Sequence, residues 1–294
     1  MAALKIIPQL VASGIVIGSV YALIALGFVL IYKSTKILNF AQGELLMLGA
    51  YMCFLLSVEL KLPYMAAFVC TLVFAFVLGV TLEFVLFRKM IGEPVFSLIM
   101  ITIGLSSVFR SLAAFLWGKI DMVALPSPFP SRSIAVLGAS ITYPQLATMG
   151  GMAIMFSLFS IFFRYSRLGT SMRAACDDQD AAALTGVNIH RVFQLAWVMA
   201  AVVASVGGIF LAHINYLDVG MGFIAVRVFP ALILGGMESI IGSLIGGLII
   251  GLAENLAGGL IHSRLQDVIA YFVLIIILLV RPYGLFGQKE IERI

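Results

Sequence analysis

The chain has 294 residues, of which 62% are hydrophobic and only 11% are charged, and its formal net charge is +4. These few polar residues cannot cover the surface of a water-soluble globule. Most of the surface must therefore face lipid. The small positive charge reflects the side of the membrane on which the loops lie and does not indicate nucleic-acid binding. Cys53, Cys70 and Cys176 show neither metal-ligand spacing nor a disulfide framework.

The apolar residues form runs long enough to cross a bilayer core of about 30 Å, which takes roughly 20 helical residues. Backbone polar groups must be satisfied inside lipid, and the alternation of a barrel is absent, so we predict an all-α integral membrane protein. Nine spans are predicted, over residues 10–32, 37–58, 62–87, 94–118, 143–163, 192–216, 224–237, 240–258 and 267–280. The seventh is short and interrupted by glycine and proline, as in discontinuous helices, so a count of eight or ten also fits. Residues 1–294 form one transmembrane domain without a soluble one.

The first span lacks a cleavage pattern and is longer than a signal-peptide core, so we expect a retained helix. It also contains Gly14 and Gly18, and the eighth span contains the pairs Gly242 with Gly246 and Gly247 with Gly251. Glycines four residues apart let two helix backbones approach closely. The spacing therefore predicts close helix packing rather than a substrate site.

Lysine and arginine residues concentrate in the loops on one face of the predicted bundle. These are Lys33, Lys36, Arg88, Lys89, the segment 164–191, Arg281, Lys289 and Arg293. By the positive-inside rule this face is cytoplasmic, which places the C-terminus inside and, with nine spans, the N-terminus outside. The other face carries fewer cations, namely Lys5, Lys61, Lys119, Arg132, Arg227 and Arg264.

The second span opens with polar residues in an otherwise apolar run: Asn39, Gln42 and Glu44. Polar groups at membrane depth usually face a bundle interior or a watery cavity, so these three are candidates for a substrate pathway. Alternatively they cap the helix and bond neighbouring helices close to the interface, because Lys36 lies only a few residues away. Both interpretations are compatible with the sequence.

Three further charged residues fall within predicted spans: Glu83, Arg110 and Glu254. Glu83 lies close to Arg88 and can reach the interface. Arg110 and Glu254 lie deeper, where a structural ion pair is as good an explanation as a functional one. Glu254 joins the pathway candidates.

The loop 164–191 contains a predicted short helix that Thr170 or Ser171 caps and Gly186 ends. On a helical wheel Ala174, Asp177, Asp178, Ala181 and Thr185 share one face. That face has no apolar stripe to lie on a membrane. Its small and acidic side chains suit docking into a cleft of a soluble partner, and an ordinary solvated helix is the alternative.

Four separated motifs are similar to those of one known protein family. They are GSVYALIALG at 18–27, ILNFAQGE at 37–44, the stretch from Arg173 through GVN at 186–188, and LGGMESIIG at 234–242. In this order, and in a chain of this length, they resemble the LivH-type permease of branched-chain amino acid ABC transporters.

The resemblance implies a permease of the bacterial inner membrane that imports branched-chain or other hydrophobic amino acids by alternating access. Its partners would be a LivM-type second permease, two cytoplasmic ATPases and an external substrate-binding protein. The family's coupling helix, which rests on the ATPase, looks like the stretch 173–186. The coupling residues would be Arg173, Ala174, Asp177, Asp178, Ala181, Leu184 and Gly186.

The sequence has no glycine-rich phosphate-binding loop followed by Lys and Ser or Thr, so we expect no nucleotide site. ATP and Mg²⁺ would belong to the partner subunits, and this chain would bind no cofactor and catalyse no reaction.

Rival functions remain open. An ABC permease for urea, short amides, sugars or nucleosides would look similar. A proton-coupled secondary transporter could use Glu44, Glu83 or Glu254 as relay groups, and a passive channel would also fit apolar helices. Neither of the last two needs a docking helix. An intramembrane enzyme is the weakest candidate, because the three histidines lack a paired nucleophile or metal spacing.

Overall fold

A computed structural model describes residues 2–90, 92–118, 122–130, 132–136 and 138–287. Its helices are α1 Ala2–Thr35, α2 Gln42–Phe54, α3 Tyr64–Val85, α4 Val95–Trp117, α5 Tyr143–Tyr165, α6 Arg167–Asp177, α7 Gln179–Leu184, α8 Ile189–Ile214, α9 Ile224–Gly235, α10 Ile240–Leu260 and α11 Gln266–Val280. A π-helical turn, Leu55–Glu59, extends α2, and a 3₁₀ turn, Val219–Phe223, precedes α9. The strands Ser133–Val136 (β1) and Ala139–Thr142 (β2) form an antiparallel hairpin. The predicted loop cations Lys119, Lys289 and Arg293 and the C-terminus lie outside the described residues.

The all-α, multi-pass prediction is confirmed. Among the described residues, seven helices are long and apolar enough to cross a membrane: α1, α3, α4, α5, α8, α10 and α11. The second and seventh predicted spans correspond to the shorter α2 and α9. Nine membrane segments of two lengths therefore account for the apolar runs.

Burial divides these helices into an inner and an outer set. The residues of α1 and α8 are mostly buried, whereas very few residues of α11 are. Large apolar side chains such as Phe76, Phe96, Phe115 and Leu279 are exposed on the outer helices. An exposed apolar surface of this kind suits lipid or another membrane subunit.

The glycine pairs of the first and eighth spans bring α1 and α10 together, as predicted. A Cβ atom on Gly18 would lie only 2.9 Å from the Leu248 Cα, and one on Gly14 would lie 3.0 Å from the Leu252 Cα. Larger side chains would separate these two backbones.

Two of the membrane segments are half-helices that begin inside the bundle. The chain leaves α1 at Thr35 and reaches Gln42 through residues that are not helical. The side-chain amide of Gln42 donates to the Ala200 carbonyl, near the middle of α8, at 3.2 Å. The predicted span 37–58 is therefore wrong in its first residues, because α2 begins within the bundle and not at its edge.

The second half-helix, α9, begins beside the first. The α2 N-terminus contacts the turn before α9, and a Cβ atom on Gly222 would lie 3.1 Å from Glu44 Oε1. From there α9 runs to the end of the bundle where Lys36 pairs with Glu238. We call this end of the bundle the basic end, because Lys33, Arg88 and α6–α7 also lie there. The other end of the bundle is called the opposite end.

The two halves of the chain repeat one another in inverted orientation. Each half has a long helix, a half-helix and two more long helices, namely α1–α4 and α8–α11. Helix α1 runs toward the basic end, whereas α8 runs away from it. The first helix of each half also packs against the third helix of the other, α1 on α10 and α8 on α3. Inverted repeats with broken helices that meet inside the membrane are typical of transporters.

Candidate functional site

Asn39 and Gln42 form a hydrogen-bonded frame where α2 begins. Asn39 Oδ1 accepts a hydrogen bond from the backbone amide of Ala41 at 3.0 Å, and Asn39 Nδ2 donates to Gln42 Oε1 at 3.2 Å. Gln42 in turn donates to Ala200. Both side chains are fully buried. The interpretation as local and interhelical hydrogen bonds thus describes their contacts, although these lie deeper in the bundle than expected.

Glu44 and Arg110 form an ion pair at the meeting point of the half-helices. Arg110 Nη2 donates to Glu44 Oε1 at 2.5 Å, and the guanidinium lies 3.9 Å from the centroid of the Phe223 ring. Glu44 is buried, whereas the Arg110 side chain is 34% exposed. Glu44 also lies in the first turn of α2, where the helix dipole favours a carboxylate. The pair joins α2, α4 and the turn before α9; we call it, with Asn39, Gln42 and Phe223, the half-helix junction.

Glu254 has a different partner. The Tyr21 hydroxyl donates to Glu254 Oε2 at 2.7 Å, and both side chains are buried between α1 and α10. The structure therefore does not bring Glu254 into the hydrogen-bonded frame of Asn39 and Gln42. The deep ion pair of Arg110 is made with Glu44 and not with Glu254.

A cavity of about 350 Å³ adjoins the junction on its opposite-end side. Tyr21, Asp218, Phe223 and Arg227 line it together with aliphatic side chains of α1, α8 and α9. Arg227 Nη1 lies 3.0 Å from Asp267 Oδ1 at the start of α11. Sequence reasoning counted Arg227 only as a cation of the opposite face and passed over Asp218. The available signal was their position around the start of the seventh span, with Asp218 just before the turn and Arg227 in the first turn of α9.

The expectation that Glu83 reaches the interface is wrong, because its side chain is buried and pairs with its neighbour Arg88. Arg88 donates to both carboxylate oxygens of Glu83, at 3.1 and 3.0 Å. The Glu83 side chain is fully buried, while about a third of Arg88 is exposed (35%). The arginine reaches the interface and neutralises the carboxylate.

At the basic end, charged residues of α1, α5 and α6 surround a second cavity of about 460 Å³. Lys33 donates to the Glu238 carbonyl at 3.1 Å, and Lys36 pairs with the Glu238 carboxylate. Burial alone would lower the pKa of Lys36, but the hydrogen bond to Glu238 and the nearby Cys176, Glu238 and Tyr32 together outweigh it and raise that pKa above the usual value. Burial raises the pKa of the nearby Cys176 thiol. At this end, contacts of Lys33 and Lys36 with Glu238 hold α1 to the segment that follows α9.

The predicted docking helix is two helices, not one. Ser166 caps α6, accepting from the Gly169 amide at 2.8 Å, so the predicted caps Thr170 and Ser171 are wrong. Asp178 is extended, with φ −158°, and caps α7 by accepting from the Ala181 amide at 2.9 Å. An aspartate that caps a new helix ends the preceding one. Gly186 has φ +89°, which confirms the left-handed conformation predicted for the end of this segment.

The break between α6 and α7 divides the predicted docking face into two parts. Ala174 packs against the core and Arg173 donates to the Phe163 carbonyl, so both belong to α6 and its attachment to α5. The other five predicted coupling residues are exposed: Asp177, Asp178, Ala181, Leu184 and Gly186. Leu184 is 90% exposed, while Ala182 is buried and holds α7 to the bundle. The surface of α7 thus presents one large aliphatic side chain, that of Leu184.

Residues 10–278 match a family model described as "Branched-chain amino acid transport system / permease component". The chain belongs to this family. The permease is 34% identical to the high-affinity branched-chain amino acid transport system permease protein LivH of Escherichia coli (strain K12), over 97% of both chains. It is 32% identical, again over 97% of both chains, to the corresponding protein BraD of Pseudomonas aeruginosa.

A solved structure, PsaBC from Streptococcus pneumoniae in complex with Fab, matches 94% of this permease and 92% of that chain with a TM-score of 0.53. At 17% identity this similarity concerns the fold alone. The resemblance inferred from the four motifs is confirmed, since the relatives named above are permeases of branched-chain amino acid ABC transport.

Proposed function

We propose that this permease translocates branched-chain or other hydrophobic amino acids as a membrane subunit of an ATP-driven importer of the bacterial inner membrane. Family membership over residues 10–278 carries the proposal. The partners would be a LivM-type second permease, two ATPases that bind ATP and Mg²⁺, and an external substrate-binding protein. This chain would be a non-catalytic subunit.

The distribution of charge supports an orientation for the proposed subunit. The basic end, with Lys33, Lys36 and Arg88, would be cytoplasmic by the positive-inside rule. The α6–α7 segment would then face the ATPases. Its exposed Leu184, beside the small Ala181, fits a hydrophobic pocket in a soluble partner.

The half-helix junction supplies the polar part of the proposed substrate pathway. Asn39 and Gln42 hold the start of α2, and the Glu44–Arg110 pair presents a partly exposed guanidinium beside it. Glu254 would act through Tyr21, which lines the adjoining cavity. Because the pair spans three segments, movement of α4 relative to the half-helices would break or remake it. Alternating access requires such an element with two arrangements.

Uptake in proteoliposomes that contain the permease, its partner subunits and the binding protein tests this proposal. We expect accumulation of labelled leucine, isoleucine or valine that requires enclosed ATP and fails with a non-hydrolysable analogue. Labelled urea, ribose and a nucleoside would distinguish the other ABC permeases. Uptake by this chain alone, abolished by a proton uncoupler, would contradict the proposal in favour of a secondary transporter.

A further inference from the structure

The cavity beside the half-helix junction combines features that fit one class of solute. Residues of α1, α8, the turn Val219–Phe223, α9 and the start of α11 line its volume of about 350 Å³. Binding sites for small molecules are typically concave and mostly apolar, with a few placed polar groups. This cavity has that composition.

Its two charged residues have opposite signs. Asp218 Oδ2 accepts from the Gly220 amide at 3.0 Å, which fixes the carboxylate at the start of the turn. Arg227 is 54% exposed and contacts Asp267 through Nη1. A guanidinium has five donors in a planar fork, so an arginine held by one carboxylate can bind a second. The cavity thus offers a carboxylate to an ammonium group and a guanidinium to a carboxylate.

The rest of the wall combines aliphatic side chains with the polar side chains of Tyr21, Asn215, Tyr216 and Gln266. Val20 lies on α1, Leu211 and Ile214 lie on α8, and Met221 and Ile224 flank the Phe223 ring. The aliphatic part of this wall would bury the side chain of leucine or valine.

We propose that this cavity is a binding site for a zwitterionic aliphatic α-amino acid. The substrate carboxylate would bind Arg227, its ammonium group would bind Asp218, and its side chain would pack on the aliphatic wall. The inference rests on the proposed transport function and goes beyond it in assigning the residues that recognise the solute.

Phe223 gives this site its place in the pathway. One part of its ring lines the cavity, and the Arg110 guanidinium lies 3.9 Å from the ring centroid. Phe223 therefore borders both the cavity and the Glu44–Arg110 pair.

Cysteine protection tests occupancy independently of the transport rate. In the complete complex with Cys53, Cys70 and Cys176 replaced by serine, Met221→Cys would be labelled by a charged, membrane-impermeant thiol reagent. Val226→Cys is the matched control, because Val226 is half-exposed on α9 but is not in the cavity wall. Ile224→Cys serves as a second reporter should Met221→Cys fail to assemble.

We expect saturating L-leucine to slow labelling at Met221→Cys at least threefold and to leave Val226→Cys unchanged. L-leucinamide, which lacks the carboxylate, should not protect, and adding Arg227→Gln should abolish protection by L-leucine. If the vesicles transport leucine but leucine protects neither reporter, or protects equally after Arg227→Gln, this assignment is overturned while the proposed function stands. If the intact complex does not transport leucine, the proposed function fails and this site fails with it.

Discussion

The half-helix junction and α7 are opposite departures from the usual distribution of side chains. At the junction, two amides and the Glu44 carboxylate are buried in an apolar bundle, whereas on α7 the Leu184 side chain is 90% exposed. Each arrangement costs free energy unless something compensates for it. At the junction the compensation is internal, since the polar groups bond one another. On α7 it would come from a partner.

This difference separates two tasks within one chain. A buried network can change how the bundle opens without altering what docks on the surface. The exposed helix α7, which the buried Ala182 anchors to the bundle, can transmit movement without altering the membrane core. Variants in the two regions should therefore fail in different ways.

The largest effect should come from Gly43→Val, which would separate the half-helices. A Cβ atom there would collide with the Gly222 carbonyl and lie 2.8 Å from the Ala225 Cβ. Because a backbone atom blocks the space, no side-chain rotation relieves the collision. We expect almost no monodisperse protein after extraction in mild detergent.

The matched control for that change is Gly104→Val, where no atom outside the adjoining backbone of its own helix lies within 4 Å of the added Cβ. It should purify with a yield close to that of the native chain. A normal yield for Gly43→Val would show that the half-helices do not meet as described.

Ala181→Trp should separate the two regions most clearly. Ala181 is exposed on α7, so a large side chain costs the membrane bundle little but prevents close approach of a partner. We expect normal insertion and at least a tenfold fall in the ATPase retained during purification. Ala183→Trp, which points to the other side of the same helix, is the control and should have a smaller effect. Equal retention by Ala181→Trp and the native chain would exclude this surface as the docking element.

Glu44→Gln should destabilise the bundle without preventing assembly. The change leaves the Arg110 charge without its carboxylate, and breaking a fully buried pair typically costs about 3–5 kcal/mol. The partial exposure of Arg110 should place the cost at or below about 3 kcal/mol. We expect a lower Tm in detergent, and a partial return when Arg110→Gln is added. If the double variant is no more stable than Glu44→Gln, the pair is not the stabilising contact.

Leu184→Ser should have the smallest effect on the permease itself. An exposed side chain contributes little to the Tm of the free protein, typically within about 0.5 kcal/mol. Burying a leucine in a partner is worth about 1.5–3 kcal/mol, so the affinity for the ATPase should fall roughly 10- to 100-fold. Thermal unfolding of the free permease measures the first effect, and titration of the partner ATPase onto the detergent-solubilised permease measures the second. An unchanged affinity would mean that the partner leaves Leu184 in water.

Features encoded by neighbouring residues were predictable from the sequence. The glycine pairs of α1 and α10, the Glu83–Arg88 pair and the left-handed Gly186 all follow from local spacing. The depth of α2 was not predictable, because an apolar segment such as 37–41 looks the same whether it is helical or extended. The partnership of Glu44 with Arg110 joins residues 66 positions apart, which periodicity cannot detect. The break at Asp178 was missed because an aspartate on a helix face and one that caps a new helix have the same sequence pattern.

We propose that the half-helix junction moves the solute and that α7 receives the movement driven by ATP hydrolysis. Leucine uptake and ATP hydrolysis, measured together in the same proteoliposomes for Glu44→Gln and Ala181→Trp, separate these two roles. We expect Glu44→Gln to retain ATPase association and hydrolysis stimulated by the binding protein while uptake falls, and we expect Ala181→Trp to lose both activities together. Identical losses in the two variants, or full uptake in Ala181→Trp, would contradict this proposal.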